Sequence, residues 1–203
     1  MTALFPLFVK LKKRKCLMVG AGEIGEGKIA GLLEACADVH VVAPAATSRV
    51  KEWNREGKVR WSRREFRGSD LQGCLLVVAA TSSSELHKKI SRLAQRRGVL
   101  CNIVDVPDLC DFYYPAVVRR GALQIAISTG GESPALAQRL RKELEQQFGP
   151  EFAEWVKSLG SEREKLRRIS SSLAERKAQL HSIASEKAFR SFVKESKKQG
   201  RKH

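Results

Sequence analysis

A chain of 203 residues with 42% hydrophobic residues has material for one full domain and a smaller appendage, and its formal net charge of +16 calls for an anionic substrate or partner. No stretch approaches the roughly 20 apolar residues of a membrane span, and residues 1–15 lack the apolar run and cleavage site of a secretory leader. Five cysteines without C-x-x-C spacing exclude a disulfide or zinc framework, so the expectation is a cytoplasmic globular protein whose cysteines are small buried hydrophobes.

Residues 16–28 read C-L-M-V-G-A-G-E-I-G-E-G-K. An apolar strand runs into Gly20, Gly22 and Gly25, and a helix carrying Ile29, Leu32 and Leu33 follows. In a dinucleotide-binding turn the first glycine permits the tight bend, the second lets main-chain N–H groups approach a pyrophosphate, and the third allows close helix-to-strand packing. A plain strand-to-helix turn could carry the same glycines; the flanking strand and helix favour the nucleotide reading. Val39–Ala43 is a short β-branched run that fits a second, doubly buried strand, stopped by Pro44. A helical pattern then carries Val50 and Trp53 to Gly57. Val59–Trp61 predicts a third strand, Leu75–Ala80 a fourth, Ser84–Arg97 a helix ending at Gly98, and Leu100–Val104 a fifth strand. This alternation predicts an α/β fold: a Rossmann-like, mostly parallel sheet with helices on both faces and ligand at the carboxyl ends of the strands. Those ends are the glycine turn, Ala43–Ala45, Ala80–Ser82 and Asn102–Asp105, which makes Thr81 and Asn102 candidate cofactor contacts.

The pattern changes after Pro107. Phe112–Val118 and Leu123–Ser128 are β-rich and separated by Arg119, Arg120 and Gly121, which predicts a hairpin. T-G-G-E-S-P follows, then an amphipathic helix with Leu136, Leu140 and Leu144; Ser133 can cap it and Pro134 suits its first turn, which makes a second anion-receptive helix start. Two further helical segments, about 151–169 and 171–197, complete a small helical region. The expected organisation is residues 1–111 as nucleotide-binding domain, 112–148 as hairpin-and-helix region for substrate and dimerisation, and 149–203 as a helical region with a basic tail. From 185 to 203 seven Lys or Arg stand against two Glu. With no aromatics among them beyond Phe189 and Phe192, this predicts a solvated, frayed end and not a nucleic-acid arm. His40, His87, His181 and His203 are scattered, so no metal site is expected.

Three blocks together, L-F-P-L-F-V-K-L with G-A-G-E-I-G-E-G-K, C-N-I-V-D-V-P-D, and A-I-S-T-G-G-E-S-P-A-L-A-Q-R-L-R, resemble the precorrin-2 dehydrogenase and sirohydrochlorin ferrochelatase family, from about Leu4 to Phe148. The resemblance implies NAD-dependent oxidation of the tetrapyrrole precorrin-2 to sirohydrochlorin, insertion of ferrous iron in many members, one pocket for both reactions, and a homodimer. It places the catalytic aspartate at Asp105, and pyrophosphate and ribose contacts at Glu23, Ile24, Pro44 and Ala45. A carboxylate there can stabilise the cation left by hydride removal and accept its proton; position alone leaves an Asx-type turn role equally open. Precorrin-2 carries eight carboxylates, for which Arg119, Arg120, Arg139, Arg141 and the helix start at Ser128, Thr129, Gly130, Gly131 and Ser133 are candidate clamps, against the alternative of solvated arginines and a simple capped turn. Thr129 departs from the two serines common in the family. No carboxylate follows the second strand in V-V-A-P-A-A-T-S, so NAD over NADP rests on the resemblance; Arg49, the nearest cation, is expected to be exposed.

Overall fold

The structure is a computed structural model that describes residues 4–169 and 172–199. It divides into two compact units, residues 5–114 and, apart from residue 4, the chain from Pro115 onward.

The first unit is a five-stranded parallel sheet in the order β3-β2-β1-β4-β5, formed by β1 (Lys15–Ala21), β2 (Asp38–Ala46), β3 (Val59–Ser62), β4 (Leu76–Ala79) and β5 (Leu100–Ile103). The inner strands β1, β2 and β4 are largely apolar on both faces because both are covered, whereas edge strand β3 carries Arg60 and Ser62. Cys16 and Met18, Val39 and Val41, and Leu76 and Val78 point to one side, where Ile29 and Leu32 of α1 (Glu23–Glu34) and Val50 and Trp53 of α2 (Ser48–Arg55) pack. Leu17 and Val19, Val42, and Val77 and Ala79 point to the other, against Ile90 and Ala94 of α3 (Ser84–Arg96) and Leu71 of the 3-10 turn Gly68–Leu71. The chain winds outward through β2 and β3, then returns to lay β4 on the opposite side of β1. The strand order therefore reverses between β1 and β4, where open α/β sheets bind ligands.

The expected stop at Pro44 is corrected: β2 continues to Ala46. Its register on β1 jumps from Val19↔Val42 to Ala21↔Ala46, so Ala43, Pro44 and Ala45 bulge out of the ladder. A bulge asks no N–H of its proline, which is why the strand survives it. Cys36 is also corrected, since it is exposed, at the turn after α1.

Within the 3-10 turn, buried Asp70 accepts two hydrogen bonds from Arg64, Nη1 to Oδ2 at 2.9 Å and Nη2 to Oδ1 at 2.7 Å, and a third from the Arg67 N–H at 2.8 Å. Burial pushes the Asp70 carboxyl up, but the Arg64 guanidinium and the Arg67 N–H outweigh it and hold the group below the usual carboxylate range. A depressed folded-state pKa contributes stability that is fully present above the unfolded value of about 4 and is lost as pH falls through the folded one. Asp70→Asn should accordingly lower the urea midpoint at pH 7, and the gap from the parent protein should close below about pH 4. Urea titrations between pH 7 and 3 check this; a gap constant across that range would remove the ion pair as its source.

The second unit begins with an antiparallel hairpin, β6 (Ala116–Arg120) and β7 (Leu123–Ile127), turning at Gly121 and Ala122. Arg119 and Arg120 thus lie in β6 and not in the turn, and Phe112–Pro115 is not strand, because it leads out of the first unit without a partner edge. Then come α4 (Pro134–Gln147), α5 (Phe152–Ile169), α6 (Leu173–Ile183) and α7 (Glu186–Gln199). The single segment expected over 171–197 is two helices, broken at Ala184 and Ser185, where the Ser185 hydroxyl accepts the Ala188 N–H and restarts the coil. Nor is the basic end frayed over its described length. Phe189 of α7 packs its ring 4.4 Å from Phe152 and 4.8 Å from Trp155 by centroid, and Phe148 completes the cluster. Residues 200–203 of that tail lie outside the described residues.

Candidate functional site

The glycine turn sits at the reversal point. Gly20 has φ of +96°, and a Cβ there would lie 2.1 Å from the Ala80 carbonyl oxygen at the end of β4. Gly25 brings α1 onto the strand so closely that a Cβ would meet the Gly20 carbonyl oxygen at 2.6 Å. Gly22 differs: as N-cap of α1 it has nothing within 4 Å of a Cβ position, and no side chain caps the helix. The first-turn N–H groups of a twelve-residue helix thus face open space with the positive end of its dipole behind them. An uncapped start beside open space fits a dinucleotide pyrophosphate, and Glu23 and the exposed Ile24 lie on its rim. Pro44 and Ala45, exposed in the bulge of β2, form the next rim along the sheet. Arg49 is exposed, as expected, and it pairs with Glu52 while lying 5.3 Å over the Trp53 ring.

On the β4 and β5 side, Thr81 Oγ1 is 2.9 Å from Nε2 of the buried His87, which fixes its hydroxyl. Asn102 is buried in β5 and donates through Nδ2 to the Phe112 carbonyl at 2.8 Å, so its amide nitrogen ties down the chain that follows. Asp105 stands just past β5 with φ of +61°, one of three non-glycine residues with positive φ among the described residues, and is exposed. Among the described residues its carboxylate makes no hydrogen bond or close ion pair, although its charge acts on Lys28 of α1. An Asx-type turn would use the carboxylate on a nearby N–H; this one is held out in a left-handed conformation with its oxygens available.

The candidate clamps lie in the second unit, and much of their hydrogen-bonding capacity is used there. Arg120 donates from Nε to the Phe148 carbonyl at 2.8 Å, from Nη2 to the Glu145 carbonyl at 3.0 Å and from Nη1 to the Arg119 carbonyl, so it caps the end of α4. Arg139 pairs with Glu143 and Arg141 with Glu145. In the T-G-G-E-S-P turn Ser128 Oγ accepts the Gly130 N–H, Thr129 Oγ1 the Ser133 N–H, and Ser133 Oγ the Leu136 N–H, with Gly130 and Gly131 at positive φ. The hydroxyls thus brace the helix start, as the capping alternative requires. Arg119 is exposed on the hairpin and also has a partner.

Residue-by-residue reading missed Lys28 and Tyr114. Lys28 ends the G-E-G-K block, and its Nζ sits 4.0 Å from the Tyr114 ring centroid. No local spacing signals that pairing, because the two residues meet only once β5 and the segment after it are in place.

Among the described residues no three His, Cys, Asp or Glu side chains gather as a resident metal would need, and no helix is long and apolar enough to cross a membrane.

Residues 7–116 match a family model described as "Putative NAD(P)-binding", and residues 120–147 match the "Sirohaem biosynthesis protein central" model. The siroheme synthase of Nitrosococcus oceani is 39% identical over 140 residues, 69% of this chain and 30% of that protein. That of Ruthia magnifica is 32% identical over 196 residues, 95% and 42% of the two. The chain spans about a third of the length of such relatives. A solved structure titled "SirC, precorrin-2 dehydrogenase" superposes with a TM-score of 0.77 at 26% identity, covering 96% of this chain and all of that one. With the glycine turn, the strand order and these matches in agreement, the chain belongs to the NAD(P)-binding family of sirohaem biosynthesis proteins.

Proposed function

We propose that this protein oxidises precorrin-2 to sirohydrochlorin with NAD, and that Asp105 is the group that handles the proton. The observation that carries the reading is Asp105 itself: an exposed carboxylate in a left-handed backbone conformation, at the carboxyl end of the strand next to the reversal point, without a hydrogen-bonding task among the described residues. NAD bound at the uncapped start of α1 would accept a hydride from the substrate. The reaction removes one hydride and one proton from precorrin-2, and the work left to the chain is to hold the ring and take the proton. Asp105 can accept it and, while ionised, stabilise the cation that hydride loss creates. Gly22 and the N–H groups of Glu23 and Ile24 would hold the pyrophosphate, Pro44 and Ala45 would border the ribose, and Thr81, braced by His87, and Asn102 would line the nicotinamide end.

Residues 1–111 serve the nucleotide in this reading, and 112–148 serve the tetrapyrrole carboxylates and a homodimer contact. The net charge of +16 and the half-buried row Leu123, Ile125 and Ile127 on β7 support those two roles. Ferrous iron insertion at the same carboxylate is the second step, with iron as substrate and the macrocycle nitrogens as its main ligands, since stripping pyrrole protons needs the same base. Anaerobic incubation with precorrin-2 and NAD, followed by absorbance, should show sirohydrochlorin, and added ferrous iron should then give sirohaem faster than without enzyme. Oxidation alone would leave a dehydrogenase; no NAD-dependent oxidation would overturn the proposal.

A further inference from the structure

The segment after β5 folds back along the open edge of that strand, which is the last in the sheet. Val106 donates its N–H to the Ile103 carbonyl at 3.2 Å, so residues 103–106 form a turn with Asp105 as its third residue. A positive φ at that place suits glycine or asparagine, and an aspartate persists there only when its surroundings fix the turn. The 3-10 turn Pro107–Leu109 then brings Cys110 back onto it. The Cys110 Sγ accepts the Ile103 N–H at 3.2 Å, and its single proton has the Ile103 carbonyl at 3.1 Å and the Val106 carbonyl at 3.3 Å as acceptors, with Asn102 Nδ2 at 3.6 Å. One sulfur thus meets the first and the fourth residue of the turn that carries Asp105. Burial pushes the Cys110 thiol up, so it keeps the proton that this bridging uses. Asp111 secures the returning chain one residue on: its carboxylate accepts the Cys101 N–H at 2.9 Å, and its own N–H donates to the Cys101 carbonyl at 2.7 Å.

We propose that Cys110 is a positioning residue: its sulfur bridges both ends of the turn 103–106 and so holds Asp105 in the left-handed geometry from which its carboxylate takes a proton. This deepens the role of Asp105 given above and rests on it. A thiol suits the place because it serves two needs at once: Cys110 packs with Val106 and Leu109 against the core on the α3 side while its sulfur hydrogen-bonds the backbone. The sheet edge keeps the returning chain through Asp111 and Asn102 without it. What Cys110 adds is closure of the turn at one atom. Without the sulfur the turn loosens, and Asp105 relaxes toward the backbone angles aspartate ordinarily adopts, which carries its carboxylate away from the reacting carbon.

Cys110→Ala removes the bridge, and Cys110→Ser restores a donor and acceptor at nearly the same place. Amide hydrogen exchange in the substrate-free full chain reads the turn directly. The Val106 N–H, which closes the turn without touching the sulfur, should exchange at least about tenfold faster in Cys110→Ala and return toward the parent rate in Cys110→Ser, while the Val78 N–H in β4 keeps its rate. Turnover of precorrin-2 per NAD-binding site should fall roughly 10- to 100-fold in Cys110→Ala with KM for NAD within about twofold, and serine should recover most of it. If alanine leaves the first unit unfolded, Cys110→Val fills the apolar space without a donor or acceptor and gives the same comparison with serine. Val106 exchange unchanged in the variant without a bridge overturns the proposal, and so does a loosened turn with full turnover per site. A Cys110-dependent turn in a parent protein that fails to oxidise precorrin-2 would instead sink the functional reading and leave the bridge standing.

Discussion

Asp105→Asn should fold and bind NAD like the parent protein, yet lose turnover by a factor of about 10²–10⁴, the range for removal of a general base. Asparagine is the informative replacement because it accepts the left-handed backbone at φ of +61° as readily as aspartate does, and copies its shape, but it cannot take a proton. Alanine would add strain of about 1 kcal/mol at such a backbone and blur the result. No hydrogen bond among the described residues is lost with the carboxylate, so the urea midpoint should stay put. Sirohydrochlorin formation, NAD titration and urea unfolding on one preparation check the three parts. Full turnover would take Asp105 out of the mechanism, whereas parallel losses of stability and activity would make it a turn residue.

The first two glycine positions should separate folding from binding. Gly20→Ala forces a Cβ to 2.1 Å from the Ala80 carbonyl, a backbone atom that cannot swing aside, at a φ of +96° that alanine resists. The cost should be roughly 3–5 kcal/mol, enough to leave the first unit largely unfolded at moderate temperature. Gly22→Ala puts the same methyl group into space with nothing within 4 Å. It should melt like the parent protein and bind NAD at least about tenfold more weakly, since the methyl fills the approach of the pyrophosphate to the helix start. Thermal melts with and without NAD give both readouts. Equal destabilisation by the two substitutions would contradict the geometry of the turn.

The sheet was legible because its signals are local. Apolar runs of four to six residues alternate with helical spacing, and burial on both faces of β1, β2 and β4 leaves those runs unbroken. Where a boundary depends on a neighbour, sequence reasoning fell short. Pro44 ends a strand on its own chemistry, but Ala46 still finds Ala21 across a bulge. Phe112–Pro115 has β-forming residues and no edge to join. The break at Ala184 and Ser185 carries no glycine or proline and depends on one serine cap and an aromatic cluster drawn from three parts of the chain. At the site, the glycines and Asp105 were legible from spacing and resemblance. The contact of Lys28 with Tyr114 was not, because the two residues meet only in the folded chain. For Arg120 the sequence offered a clamp or a solvated arginine, and its bonds to the α4 carbonyls were not legible because they depend on how α4 returns to the hairpin.

Cys36 offers a practical opening. It is the exposed thiol of the five, whereas burial pushes Cys16 up to about 11 and Cys101 up to about 12, where a thiolate is scarce at neutral pH. A maleimide dye should therefore attach at Cys36 first. That position follows the far end of α1, roughly 18 Å along a twelve-residue helix from the glycine turn. A fluorophore there would ride on the very element whose start receives the anion without touching the ligand. It could report nucleotide occupancy in real time, with the native sequence as its own attachment chemistry.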